Sequence, residues 1–167
     1  RHEVDEYIAF VRNIATAAAA DDSVSMAAGL ALERLAALTG RLGHAAVVRA
    51  DLRDVAVALA RVVRDADFKA MALALLRDMC IAAQDADGLA VVVTPAMRDA
   101  LVWIARATAA TRGSEQAAVA ATFLAQLEGG ARLMATPEVR DMLVALYKAN
   151  PAHLGSVCQA VSAISQE

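Results

Sequence analysis

The chain is expected to be all-α, on three observations. Hydrophobic residues make up 59% of its 167 residues while aromatics make up 4%, and much of the apolar excess is alanine, the strongest helix former and small enough to let helices pack closely. Gly and Pro number 8 and 3, too few for the tight turns of a β-rich chain. Along most of the length, apolar residues recur at i, i+3, i+4 and i+7, the spacing of one helix face. Mean hydropathy is +0.46, yet charges interrupt every apolar run before the roughly 18–20 residues that a membrane-spanning helix needs.

The elements follow in order. The start, RHEVDEY, is charged and acidic rather than signal-like, and its first residue is Arg rather than Met, so the chain is expected to be part of a longer one. Val4, Tyr7, Ile8 and Val11 mark a first helix, and Val24, Ala28, Ala31, Leu32 and Leu35 a second. After Gly43, a short element at His44–Arg49 leads into a helix carrying Leu52, Val55, Ala56 and Leu59, then one carrying Phe68, Ala72, Leu75, Leu76 and Met79. The pattern returns after Gly88. Leu89–Thr94 is the short element, and although Val91 to Val93 favour a strand by propensity, a lone strand would lack a partner, so a helix is expected. Met97, Ala100, Leu101 and Ile104 mark the next helix, and Gln116, Ala120, Phe123, Leu124 and Leu127 the one after it. In the last copy the short element shrinks to Ala131–Met134 behind Gly129-Gly130. Val139, Met142, Leu143 and Leu146 then precede His153, Val157, Ala160, Val161 and Ile164. The breakers are Asp21-Asp22-Ser23, Asp65-Ala66-Asp67, Arg112-Gly113-Ser114 and Asn150-Pro151.

Three stretches show the repetition directly: ADLRDVAVALAR at 50–61, TPAMRDALVWIA at 94–105 and TPEVRDMLVALY at 136–147. Aligned on Arg-Asp, the apolar positions fall into register, with offsets of 48, 45 and 42 residues (4 to 52, 52 to 97, 97 to 139). Thr94-Pro95 and Thr136-Pro137 are helix starts: Thr caps, and Pro fits the first helical position because its missing N–H needs no partner there.

A unit of a short helix and two longer ones, about 42 residues in all, resembles the armadillo repeat. The residues carrying the resemblance are VRADLRDVAVALARVVRDADFKAMALALLRDM at 48–79 and VTPAMRDALVWIARATAATRGSEQAAVAATFLAQL at 93–127. The resemblance covers essentially the whole chain, and the short first helix favours armadillo over two-helix HEAT repeats. It implies a right-handed α-α superhelix, a solenoid of about four armadillo-like repeats at 1–38, 43–82, 87–128 and 131–167, the first lacking its short helix. Ala50, Pro95 and Pro137 stand where the family often has Gly before its second helix.

Its functional implication is non-catalytic binding of another protein on the concave surface of the third helices. The candidate groove residues are Met26, Leu30, Glu33, Arg34, Ala74, Arg77, Asp78, Thr122 and Gln126. Family members that bind extended peptides carry Asn and Trp ladders there. This chain has Arg34, Asp78, Gln126 and Ala163 at the Asn positions and Leu30, Ala74, Thr122 and Gln159 at the Trp positions, which argues against a nuclear-import adaptor. Two alternatives stand beside this adaptor. One is a scaffold that self-associates through its end repeats, which lack obvious polar caps. The other is a HEAT-like nucleic-acid binder, which a net charge of −3 disfavours.

Arg53-Asp54, Arg98-Asp99 and Arg140-Asp141 recur on one face. Side chains at i and i+1 diverge by roughly 100°, so these pairs are not expected to close on themselves. Each marks a solvated outer face, a rung of a ladder in which Arg98 reaches Asp54 or Asp141, or part of a binding patch. Trp103 is assigned to packing between repeats. Cys80 and Cys158, far apart and without metal-ligand spacing, are expected to be small buried hydrophobes in a reduced, intracellular chain, cytoplasmic with nuclear and cytoskeletal placements as alternatives. His2, His44 and His153 have no partner at the spacing of a zinc site, so neither metal nor cofactor is expected. No nucleophile or phosphate-loop motif is present, and Glu33 with Asp78, or Asp65 with Asp67, is read as charged surface, so no enzymatic activity is expected.

Overall fold

A computed structural model describes residues 2–16, 22–42, 46–111 and 113–165. Ten α-helices and no strands are found among these residues: α1 (His2–Thr16), α2 (Asp22–Leu42), α3 (Ala50–Val62), α4 (Ala66–Ala82), α5 (Ala86–Val92), α6 (Pro95–Thr108), α7 (Gly113–Gln126), α8 (Gly130–Met134), α9 (Pro137–Ala149) and α10 (Leu154–Ile164). A 3-10 turn at Pro151–His153 leads into α10.

Local chemistry sets the helix starts. Thr94 and Thr136 sit in extended backbone, and their hydroxyls accept the Met97 and Val139 N–H groups, with Pro95 and Pro137 opening the helices behind them. Asp65 caps α4 by accepting from Asp67 and Phe68, and Asp85 caps α5 by accepting from Gly88. Val91 and Val92 are helical despite their strand propensity. The short element of the second copy differs from expectation. Residues 43–45 lie outside those described, and residues 46–49 form no α-helix. Arg49 is extended (φ −139°, ψ 134°) as the residue before α3, and its guanidinium is held by Asp51 at 2.8 Å and Asp5 at 2.6 Å.

The expected apolar faces are the buried ones. Leu52, Val55, Ala56 and Leu59 of α3, Met97, Ala100, Leu101 and Ile104 of α6, and Val139, Met142, Leu143 and Leu146 of α9 are all buried. The helices carrying them pack as one row, α1 on α3 and α6 on α9, with a lighter contact between α3 and α6. Beside it runs a second row, α2 on α4, α4 on α7 and α7 on α10, of which the α4–α7 and α7–α10 contacts are the most extensive in the molecule. Alanine explains that closeness: Ala72, Ala117, Ala118, Ala120 and Ala121 are completely buried, and small side chains let helix axes approach.

Among the described residues no single helix is long and apolar enough to cross a membrane. Taken together, α5 and α6 reach the length, but they bend by 48° where they meet.

Candidate functional site

The Arg-Asp pairs depart from expectation. Each closes on itself: Arg53 meets Asp54 at 2.8 Å, Arg98 meets Asp99 at 2.7 Å and Arg140 meets Asp141 at 2.9 Å, and Arg77 does the same with Asp78 at 2.5 Å. The Cα–Cβ vectors do diverge, but the long, flexible Arg stem folds its guanidinium back over the neighbouring carboxylate. Arg98 reaches neither Asp54 nor Asp141. At such exposure each pair contributes at most about 1 kcal/mol.

Contacts between copies are made by these arginines to partners other than the paired carboxylates, and by Arg49. Arg53 donates to the Val91 carbonyl at 2.8 Å and lies 3.4 Å from the Thr94 hydroxyl, tying α3 to the α5–α6 corner. Arg77 donates to the Gln116 side chain, joining α4 to α7. The Arg49–Asp5 pair joins the turn before α3 to α1. Asp51 has its carboxyl held below the usual range, first by the Arg49 hydrogen bonds. The stability it adds is present above its unfolded pKa and is lost as pH falls through the lowered one. Glu138 lies below the usual range chiefly through its own backbone N–H and Thr136, with Arg98 and Arg106 adding across the α6–α9 contact. Trp103 remains partly exposed while the Lys69 ammonium of α4 sits 5.5 Å from its ring centre.

The nine residues assigned to an inner groove lie on α2, α4 and α7, successive helices of the second row. Met26, Leu30, Glu33 and Arg34 are exposed on α2, whereas Ala74, Arg77 and Asp78 are half-buried on α4. Thr122 is buried on α7, its hydroxyl donating to the Ala118 carbonyl, and Gln126 is exposed at the helix end. Thr122 and Gln126 do meet Gln159 and Ala163 of α10 in a shallow groove of about 380 Å³. Arg34 instead lines a depression of about 440 Å³ between α1 and α2 with Tyr7, Phe10 and Leu38.

A strongly apolar groove of about 460 Å³ lies between α9 and α10, lined by Val139, Leu143, Val144, Tyr147, Leu154 and Val161 among others. Sequence reasoning assigned no role to Val144, Tyr147, Leu154 or Val161 as exposed groups. The register explains why these residues are apolar. Val144 is 44% exposed where its aligned residue Val102 is 7%, and Val161 is 48% exposed where Leu124 is fully buried. Tyr147 and Leu154 are exposed where Ala105 and Ala117 are buried. The Arg of the Arg-Asp pair follows the same trend, its side chain 13% exposed at Arg53, 24% at Arg98 and 71% at Arg140. The signal available in the sequence was that the last copy keeps large apolar residues at positions that earlier copies bury.

The cysteines divide accordingly. Cys80 is buried, and burial pushes its thiol up to about 12, which keeps it protonated and inert at neutral pH. Cys158, expected to be buried, is exposed. It aligns with Leu73 and Ala121, both fully buried under the following helices, and no described helix covers α10 on that side. Thiol-specific alkylation of the folded chain should therefore modify Cys158 rapidly and leave Cys80 unmodified until denaturant is added. Modification of both in the folded chain would contradict the packing of α4.

Among the described residues, no group of three or more His, Cys, Asp or Glu side chains is arranged to hold a metal ion. The class defined by these observations is an all-α protein with an apolar groove at one end. No protein-family model, curated protein or solved structure matches the chain.

Proposed function

We propose that the chain is a non-catalytic, intracellular protein-interaction module, a right-handed superhelix of about four armadillo-like repeats, with its principal contact surface in the α9–α10 groove. The observation that carries the reading is that groove: open, apolar, and built from residues whose aligned positions elsewhere are covered by helices. The two rows of helices and the in-register buried faces support the repeat reading. Because the groove is preformed, a partner would bind with little ordering cost on this side. Apolar area of this kind favours a protein partner over a phosphate backbone, which needs clustered Arg and Lys.

A second reading places the contact on the inner row, and the exposed Met26 and Leu30 beside Glu33 and Arg34 favour it. Capture of proteins from source cells separates the two. Val144→Asp with Val161→Asp alters the groove, and Arg34→Ala with Asp78→Ala and Gln126→Ala alters the inner row. Loss of partner with the first set alone supports the groove, and loss with the second set alone transfers the function to the inner row. Retention of nothing specific by the unaltered chain overturns both.

A further inference from the structure

We propose that the joint between the second and third sequence copies is a hinge. Helices α3 and α6 part and close on the outer row while α4 and α7 stay packed on the inner row, and two polar ties hold the closed position. The joint has helices on both sides, so its geometry owes nothing to either end of the sequence.

The inner contact is close and apolar. The α4–α7 packing is the most extensive in the molecule, and Ala117, Ala118 and Ala121 of α7 are completely buried. A Cβ at Gly113 would stand 3.0 Å from the Ala70 methyl, so the start of α7 already lies against α4. Arg77 of α4 adds its bond to the Gln116 side chain. Small side chains at this closeness fix the spacing of the helix axes.

The outer contact is of another kind. Helix α3 touches α6 far more lightly than α1 touches α3 or α6 touches α9. The same residue at the same register position shows the difference: Val57 on α3 is half-buried beside α6, whereas Val102 on α6 is buried beside α9. Trp103 stands on α6 where α3 and α9 carry Ala58 and Ala145, and it remains 39% exposed. What spans the joint is polar. Arg53 reaches from α3 to the Val91 carbonyl at 2.8 Å and lies 3.4 Å from the Thr94 hydroxyl, and the Lys69 ammonium of α4 sits 5.5 Å from the Trp103 ring centre. Such ties exchange readily with water, unlike the buried alanine contact.

A close-packed inner contact beside a lightly touching outer one is the arrangement of a hinge, with α4 against α7 as its axis. Parting α3 from α6 turns α1–α4 against α6–α10. The trough of about 1030 Å³ that crosses the same joint, with Asp67 and Ala70 on one wall and Thr111 and Glu115 on the other, changes width as they turn.

The test is the distance distribution between paired spin labels in frozen solution. Arg61, Arg106 and Lys148 hold one register position in the last turns of α3, α6 and α9, and all three are exposed. Labels at Arg61→Cys with Arg106→Cys report the hinge, and labels at Arg106→Cys with Lys148→Cys report the neighbouring joint. The background carries Cys158→Ser, and Cys80 is buried. The 61–106 distribution should be the broader of the two. Arg53→Ala with Lys69→Ala should broaden it further and extend it to longer distances, leaving the 106–148 distribution as it was. Circular dichroism verifies helix content, and Lys69→Ala alone serves should the double variant lose helix. Equal widths at the two joints overturn the proposal. So does a 61–106 distribution unmoved by loss of both ties, or an equal broadening at 106–148, which would indicate general loosening.

Discussion

Gly130→Ala should lower the stability of the fold by about 3 kcal/mol, toward the upper end of overpacking changes. Helix α7 ends at Gln126, and Gly129 takes a left-handed conformation (φ 73°, ψ −4°) that reverses the chain into α8. The Gly130 N–H donates to the Leu127 carbonyl at 2.8 Å, drawing the turn tight. A Cβ at Gly130 would collide with the Leu124 carbonyl. Both groups are backbone, so no rotamer change relieves the clash, and α8 and α9 must move relative to α7. Gly129→Ala meets only a distant Val93 methyl and acts through its backbone angle alone, costing about 1–2 kcal/mol. At roughly 2–4 °C per kcal/mol for a chain of this size, the Gly130 variant should melt well below the Gly129 variant in a thermal scan. Equal melting of the two would contradict the turn geometry.

The second large effect compares one register position across three copies. Leu76 on α4 and Leu124 on α7 are fully buried, while Val161 on α10 is exposed. Leu76→Ala and Leu124→Ala should each cost about 3 kcal/mol, since each removes buried methyl groups and leaves a cavity between closely packed helices. Val161→Ala, measured at a concentration where the chain is monomeric, should cost less than about 0.5 kcal/mol, as for a surface site. Chemical denaturation with a common m-value is the appropriate measurement. A cost at Val161 matching that at Leu76 would mean that the groove is closed in solution.

Much of the fold was legible because helix periodicity reports burial directly. The spacing of Leu52, Val55, Ala56 and Leu59, and of its two aligned sets, named the buried faces of α3, α6 and α9. Thr94-Pro95 and Thr136-Pro137 named two helix starts, since capping depends on residues in contact along the chain. The Arg-Asp pairs were misread because the 100° rule describes where side chains leave the helix, not where a long Arg ends. Of the short helix expected at His44–Arg49, the described part is 3-10 helical at Ala46 and then leaves the helix, Arg49 being extended as the residue before α3 and pairing with Asp51 and with Asp5, 44 residues away. The candidate inner groove was only partly legible: the alanines that suggested small-residue contacts also let α4, α7 and α10 approach until Thr122 was buried.

By itself the sequence determined the helices, their starts, the faces that they bury and the register of the copies, because each follows from residues within one or two turns of one another. Tertiary structure alone decided which of those faces stays uncovered. Val161 and Leu124 carry the same kind of side chain at the same register position, and among the described residues Leu124 is buried on α7, which packs against α4 and α10, while Val161 is exposed on α10, which no described helix follows.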